Sequence, residues 1–165
     1  MEIKSSITNK SGQVYQIIYN DIDDIQEVEG KNVIGIYAYC FHNDKLVIVN
    51  ENGYTGNPGG GLEKDENIIE GLHREVLEET NMKILQYKPI GIHETIRPGG
   101  ESVFYIRFAC LVEPVGDFKK DPAGDVLGVS FIDPSEFLKL CDRGWGEVAL
   151  RMLERAVEVR GGWRG

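Results

Sequence analysis

The chain has 165 residues, of which 41% are hydrophobic and 27% are charged, and its formal net charge is −9. These values are typical of one globular domain with a substantial core. The negative charge argues against a broad surface for nucleic acid polymers or anionic membranes, and no apolar run has the length of a membrane span or a secretory leader. We therefore expect a single domain over residues 1–165, located in the cytoplasm, as a monomer or a homodimer.

Neither cysteine nor histidine shows the spacing of a metal or redox site. The three cysteines are odd in number and lie in apolar contexts, as expected of buried reduced thiols. The histidines, His42, His73 and His93, are scattered along the chain, and we expect none of them to be a ligand.

The first part of the chain is predicted to consist mostly of strands. Residues 1–30 contain an N-terminal strand and an acidic loop of weak structure. A nearly continuous apolar segment follows and predicts a strand covered on both faces, and the Asn43-Asp44 turn then predicts a hairpin. The predicted elements are the strands Gln13–Tyr19, Val33–Phe41 and Lys45–Asn50, the acidic loop Asn20–Gly30 and an irregular glycine-rich segment, Glu51–Asp65.

The last part of the chain is predicted to contain three strands and two helices. Asp133-Pro134 has the composition of a helix start, with Asp as the N-cap and Pro at the first helical position. The predicted elements are the strands Ile84–Ile96, Ser102–Val112 and Val126–Ile132, a polar loop at Phe118–Asp125, a helix from Asp133, a helix at Trp145–Val159 and a frayed end at Gly161–Gly165.

Residues 68–80 have the periodicity of an amphipathic helix. At about 100° per residue, its apolar side chains form one stripe that consists of Ile68, Ile69, Leu72 and Val76. Glu79 falls inside this stripe, Glu75 at its edge and Glu78 about 60° beyond Glu75. A carboxylate that faces the core is costly, and three adjacent carboxylates repel one another, unless a cation compensates them. The pattern predicts that these glutamates bind Mg²⁺ or Mn²⁺.

The same segment resembles a known family motif. Gly60 is followed after five residues by Glu66, and after seven more by Arg74–Met82, which reads REVLEETNM. This spacing resembles the Nudix box, which would here span Gly60–Met82. Asn81 stands where the family has glycine, and we expect a left-handed helix cap there, a conformation that Asn tolerates next best.

The resemblance implies both a fold and a reaction. The fold would be of the α/β class, a Nudix-type α/β/α sandwich with a mixed β-sheet. The reaction would be metal-dependent hydrolysis of a nucleoside diphosphate linked to another moiety, with water attacking a phosphorus atom. By correspondence with the family motif, the catalytic residues would be Glu75, Glu78 and Arg74, with Glu75 as general base, and the metal ligands would be Glu75, Glu78, Glu79 and the carbonyl oxygen of Gly59.

Several residues around the box keep two interpretations. Arg74 would orient the carboxylates, or only form an exposed pair on the helix surface. Glu66 would brace Arg74, or only favour the helix N-terminus. Gly60 and Gly61 would let the backbone approach the substrate. Some family members take the base from a later loop, and the acids available for that role, all expected to be ordinary solvated charges, are Asp121, Asp125 and Glu113.

The sequence says least about the substrate. Pro98 lies sixteen residues beyond Met82, which resembles the position of a proline in many ADP-ribose pyrophosphatases and favours ADP-ribose or a nucleotide sugar. A proline before Gly-Gly is also simply a turn. The alternatives are a nucleoside triphosphate substrate of the 8-oxo-dGTP type and a non-catalytic nucleotide-binding module. The aromatic residues that could stack on a base, although core positions are their default, are Tyr37, Tyr39, Tyr54 and Phe104.

Overall fold

The computed structural model describes residues 1–119, 121–141 and 144–163. Within these ranges the strands are β1 Glu2–Thr8, β2 Val14–Asp21, β3 Val33–His42, β4 Lys45–Glu51, β5 Tyr54–Gly56, β6 Gly59–Gly61, β7 Met82–Ile96, β8 Ser102–Pro114 and β9 Val126–Ile132. The α-helices are α1 Ile68–Thr80, α2 Phe137–Cys141 and α3 Glu147–Gly162, and short 3₁₀-helices lie at Ile25–Val28 and Pro134–Glu136. None of the helices in these ranges is both long and apolar enough to cross a membrane.

The strands form one mixed sheet. Its main path has the order β1-β2-β7-β8-β3-β4-β5. β3 runs parallel to β8, whereas the other neighbours along this path are antiparallel. β6 pairs with β3 and β9 pairs with β4, outside the main path. The predicted mixed sheet is therefore confirmed.

Helices cover both faces of the sheet, and β3 contributes to the core on each side. Ile36 belongs to one cluster of buried residues together with Leu72 of α1. Tyr39, on the opposite face of β3, belongs to a second cluster together with Met152 of α3. Alternation of this kind is what a strand covered on both faces requires. The predicted α/β/α sandwich is confirmed.

Local caps fix both ends of α1. At the N-terminus the Asn67 side chain accepts a hydrogen bond from the Glu70 N–H, and the Glu70 side chain accepts one from the Asn67 N–H, which together form a capping box. At the C-terminus Asn81 has φ +54° and ψ +37°, so the predicted left-handed cap is confirmed. Its side-chain Nδ2 also donates to the Asp117 carbonyl oxygen at 2.7 Å, a bond that glycine could not make.

The structure differs from the predicted elements mainly where strands are short or half exposed. β1 is an additional edge strand whose exposed polar residues alternate with partly buried ones, so it has no continuous apolar signal. The segment expected to be irregular contains β5 and β6, because three residues are enough to pair with a neighbouring strand but too few to show a period. The acidic loop contains the 3₁₀-helix Ile25–Val28, and Gly161 and Gly162 belong to α3 rather than to a frayed end. Residues 164 and 165 lie outside the described ranges.

Candidate active site

β6 brings three glycines, Gly59–Gly61, between the middle of β3 and α1. A Cβ atom on Gly59, which has φ +152°, would lie 2.3 Å from the Ile36 carbonyl oxygen. A Cβ atom on Gly60 would lie 2.8 Å from Oε1 of Glu75. Both distances are shorter than real contacts, so glycine is what allows this backbone to approach both β3 and the helix carboxylate.

Arg74 ties α1 to the loop that precedes it. Its Nε and Nη2 donate to the two carboxylate oxygens of Glu66 at 2.6 and 2.9 Å. Its Nη1 donates to Glu75 at 2.9 Å and to Glu78 at 3.1 Å, and Nη2 also donates to the Gly61 carbonyl oxygen. The bonds from Arg74 hold the pKa of Glu66 below its usual value. Arg74 therefore contacts both helix glutamates, and Glu66 pairs with Arg74 as well as lying near the helix start.

Glu79 points from α1 toward the sheet. Its Oε2 accepts a hydrogen bond from the Gly59 N–H at 2.9 Å. Burial raises the pKa of Glu79 to about 8, and although the Gly59 bond opposes this shift, the nearby carboxylates of Glu75, Glu51 and Asp121 add to it. No basic side chain among the described residues forms an ion pair with Glu79. The carboxylate thus occupies a position that favours a neutral form or a bound cation.

Glu75 is more deeply buried than the helical pattern predicted. We expected it at the edge of the apolar stripe, but the residue is only 9% exposed, because Gly60 packs against its carboxylate. Burial raises the pKa of Glu75, and the hydrogen bond from Arg74 offsets part of that shift. Glu78 is more exposed than Glu75, with 34% of its side chain accessible.

The three loop acids have different surroundings. Asp121 is buried, and its carboxylate accepts hydrogen bonds from the N–H groups of Ala123, Asp125 and Val126 at 3.2 to 3.3 Å. The expectation that Asp121 is a solvated charge is therefore wrong, because its carboxylate organises the turn before β9. Asp125 is exposed, as expected. Glu113 pairs with Lys83 at 2.7 Å near the far end of β8, and both side chains are exposed.

Pro98 lies in an exposed turn between β7 and β8. The Arg97 N–H donates to the Glu101 carbonyl oxygen at 2.8 Å, and Gly99 and Gly100 have φ angles of +101° and +91°. Pro98 lines neither the aromatic cavity described below nor the groove beside the 3₁₀-helix Ile25–Val28. This geometry is that of a connecting turn.

A cavity of about 270 Å³ lies on the α3 face of the sheet, next to the glycine segment. Gly56 and Asn57 form part of its wall, three and two residues before Gly59, whose N–H donates a hydrogen bond to Glu79. The segment 56–60 therefore has the glutamates of α1 on one side and this cavity on the other. Three of the four aromatic residues considered for base stacking, Tyr37, Tyr39 and Tyr54, line the cavity. The further aromatic side chains in its wall are Tyr105 of β8, Phe137 of α2 and Trp145, which precedes α3.

The sequence motifs did not identify three buried polar residues of this cavity as candidate binding groups. Asn57, His93 and Arg107 are each less than 9% exposed. Each has a buried polar atom without a hydrogen-bond partner: Oδ1 of Asn57, Nδ1 of His93 and Nε of Arg107. A signal was available, since Arg107 is the only charged residue in the otherwise apolar run Val103–Val112. A single arginine inside a buried strand needs a partner and should be read as a candidate binding group.

The model of the NUDIX domain family matches residues 31–153, which include the glycine segment, α1 and most of the cavity. This match covers well over half of the chain. The protein belongs to the Nudix hydrolase family. Among curated protein sequences, none matches it.

Solved Nudix structures share its fold. A mutant of the Bacillus subtilis pyrophosphohydrolase BsRppH superposes with a TM-score of 0.68 at 14% identity, over 95% of this chain and 98% of that one. The NUDIX domain of Shewanella oneidensis NrtR, complexed with ADP ribose, gives 0.57 at 18% identity, over 83% and 93%. An ADP-ribose pyrophosphatase from Streptococcus suis gives 0.53 at 19% identity, over 75% and 91%. At these identities the similarity establishes the fold.

The donor set of this Nudix hydrolase fits a divalent cation. Glu75, Glu78 and Glu79 supply the carboxylate oxygens that Mg²⁺ and Mn²⁺ prefer, and burial disfavours two of them as free anions. In the described residues, no three His, Cys, Asp or Glu side chains are gathered into a ready ligand set. The reason is visible in the contacts, since Arg74 holds Glu75 and Glu78 while the Gly59 N–H holds Glu79.

Proposed function

We propose that this Nudix hydrolase is a metal-dependent pyrophosphohydrolase that cleaves a nucleoside diphosphate linked to another moiety, the substrate class that includes ADP-ribose and the nucleotide sugars. The observation that carries the proposal is the position of the segment 56–60 between two different sites. On one side lie the carboxylates of Glu75 and Glu79. On the other lies an aromatic cavity of about 270 Å³, large enough for a nucleobase. A diphosphate at the glycines would leave the nucleoside within reach of the cavity.

The metal site would use the residues that correspond to the family motif. Glu75, Glu78 and Glu79, together with the Gly59 carbonyl oxygen, would hold Mg²⁺ or Mn²⁺. Such an ion supplies charge neutralisation at the phosphate oxygens and lowers the pKa of bound water. Arg74 keeps Glu75 and Glu78 close together and offsets their mutual repulsion. Gly60 and Gly61 leave the backbone accessible to the diphosphate, because no side chain projects from them.

Glu75 is the proposed general base. Its burial raises its pKa, which makes its carboxylate a stronger base than that of an exposed glutamate. Water would attack one phosphorus atom of the diphosphate while Glu75 accepts its proton. The bridging P–O bond would break, and two phosphate monoesters would leave. Asp121 is the less suitable loop acid, because three backbone N–H groups already occupy its carboxylate, and the exposed Asp125 is the remaining loop candidate.

The substrate class rests on the cavity and on the neighbours rather than on Pro98. The exposed turn that contains Pro98 does not reach the cavity, so its resemblance to ADP-ribose pyrophosphatases carries little weight. Two of the structural neighbours are an ADP-ribose pyrophosphatase and a domain complexed with ADP ribose. A MutT protein from Bacillus halodurans is also a neighbour, which keeps a nucleoside triphosphate as the second candidate substrate.

A substrate panel tests this proposal. ADP-ribose, GDP-mannose, dGTP and 8-oxo-dGTP would each be incubated with Mg²⁺ and then with excess EDTA, and the products separated by chromatography. We expect kcat/KM for at least one diphosphate-linked compound to exceed that for both triphosphates tenfold or more. A tenfold preference for a triphosphate would select the second candidate. Nucleotide binding without turnover of any compound would identify a non-catalytic module instead.

A further inference from the structure

Arg107 is a buried cation with no acidic side chain beside it in the described part of the chain. The residue is 8% exposed, and no carboxylate in the described ranges lies within 4 Å of its guanidinium. Its Nε finds no acceptor. The guanidinium carbon instead lies 4.5 Å from the ring centre of Tyr37 and 5.5 Å from that of Trp145. Cation–π contacts recover only part of the cost of removing a charge from water, so the geometry favours a ligand that brings hydrogen-bond acceptors into the cavity.

The other polar atoms of the cavity narrow the kind of ligand. Oδ1 of Asn57 is an acceptor without a donor. His93 stacks on Tyr105 with ring centres 4.8 Å apart and an interplanar angle of 11°. Burial, reinforced by Arg107, lowers the pKa of His93 and keeps its ring neutral. The cavity therefore offers one cationic donor group, a neutral amide acceptor, the unpaired Nδ1 of a neutral imidazole and flat aromatic walls, which suit a planar heteroaromatic ring better than a phosphate surrounded by donors.

The parallel N–H donors of an arginine guanidinium discriminate between guanine and adenine. Guanidinium N–H groups donate in parallel to two adjacent acceptors, and guanine presents O6 and N7 in this arrangement. Adenine presents N7 beside its N6 amino group, so one N–H of the guanidinium would face the N–H donors of that amino group. The N1–H and N2 amino groups of guanine are donors, as the unpaired Oδ1 of Asn57 requires.

We propose that the cavity is a guanine subsite in which Arg107 is the specificity-determining residue, so that the substrate is a GDP-linked compound rather than an ADP-linked one. This inference rests on the proposed function only in stating that the bound guanine belongs to the compound that is hydrolysed. Recognition of the base is a property of the cavity itself. It can therefore be measured in metal-free protein, where no hydrolysis is expected.

Calorimetric titration of the metal-free protein with 5′-GMP and 5′-AMP is the experiment. We expect GMP to bind about tenfold or more tightly than AMP, the scale of discrimination attributed to one bidentate base contact. Arg107→Met should reduce GMP binding by a similar factor. Arg107→Lys keeps the charge but loses the pair of parallel N–H donors, so the affinities for GMP and AMP should lie within about threefold of one another. Arg97→Met, which changes an exposed arginine outside the cavity, is the matched control and should retain the preference.

The outcomes are distinct. AMP binding as tightly as GMP, or neither nucleotide binding, overturns the guanine assignment. Competition between GMP and inorganic phosphate that persists in Arg107→Lys but not in Arg107→Met identifies an anion site and also overturns it. The melting temperature of Arg107→Met should be unchanged or higher, since the change removes an unpaired buried charge, so loss of the fold does not explain lost binding. GMP preference without hydrolysis of any diphosphate would leave the subsite intact and refute the proposed function alone.

Discussion

The two sides of the segment 56–60 bury charge in opposite ways. On the α1 side, one arginine donates four hydrogen bonds to three glutamates and a fifth to a backbone carbonyl oxygen, and a fourth glutamate accepts a hydrogen bond from a backbone N–H. On the α3 side, one arginine lies among aromatic rings, and none of the described acidic side chains pairs with it. The first side has more negative charge than its own cation compensates, and the second has a cation that no carboxylate of the described ranges compensates. Each side therefore lacks what a metal-bound nucleotide would supply, a cation on one and hydrogen-bond acceptors on the other.

Removal of divalent cations should have the largest effect on the α1 side. We expect excess EDTA to reduce pyrophosphate hydrolysis to background and added Mg²⁺ to restore it, because clustered carboxylates repel an anionic substrate without a cation. Mg²⁺ should also raise the melting temperature, since it binds the folded state. Undiminished turnover in EDTA would refute the metal assignment.

Glu79→Gln should reduce kcat by about 100-fold or more, the scale of losing one preorganised electrostatic group. Above about pH 8, where Glu79 is ionised, the metal-free variant should be as stable as the parent or more stable, because the change removes a repelling charge from a buried position. Steady-state kinetics and thermal melts measure the two effects. Glu154→Gln, on the exposed surface of α3, is the matched control and should change neither. An unchanged kcat in Glu79→Gln would make this glutamate structural.

The sequence predicts the features that depend on local interactions and does not predict those that depend on tertiary packing. The position of Glu79 and the cap at Asn81 follow from local rules of helix period and backbone conformation, which need no tertiary contacts. The burial of Glu75 could not be predicted, because it depends on Gly60 packing over the carboxylate from a separate strand. The cavity was missed for a related reason, since it combines residues as distant in sequence as Asn57 and Trp145.

The stability of the metal-free protein should depend on pH through Glu79. Its pKa is raised to about 8 in the folded state and is about 4.3 in an unfolded chain. The folded state therefore binds the proton more tightly, and stability should fall as the pH rises from about 5 to 8. At about 1.4 kcal/mol per pKa unit, this fall amounts to a few kcal/mol at most. Urea unfolding in EDTA at several pH values gives the free energy of unfolding as a function of pH. This free energy should change less with pH in Glu79→Gln than in the parent, and an equal dependence on pH would contradict the assigned pKa.

Asn81 should show the smallest effect. Asn81→Ala should destabilise the protein by about 1 kcal/mol, because alanine is strained in the left-handed region and loses the bond to Asp117. Asn81→Gly should cost less, since glycine relieves the backbone while losing the same bond. Urea unfolding would compare the two. A larger loss in the glycine variant would indicate that the side-chain bond, rather than the backbone conformation, holds the cap.

Steady-state kinetics of Arg107→Met on the best diphosphate-linked compound show whether both sides of the segment 56–60 bind one substrate molecule. An interaction made equally in the ground and transition states affects KM alone. We predict that KM rises about tenfold while kcat stays within about threefold of the parent, with Arg97→Met unchanged. If KM and kcat of Arg107→Met both equal those of the parent, the cavity does not bind the substrate, and the two sides of the segment do not form one substrate site.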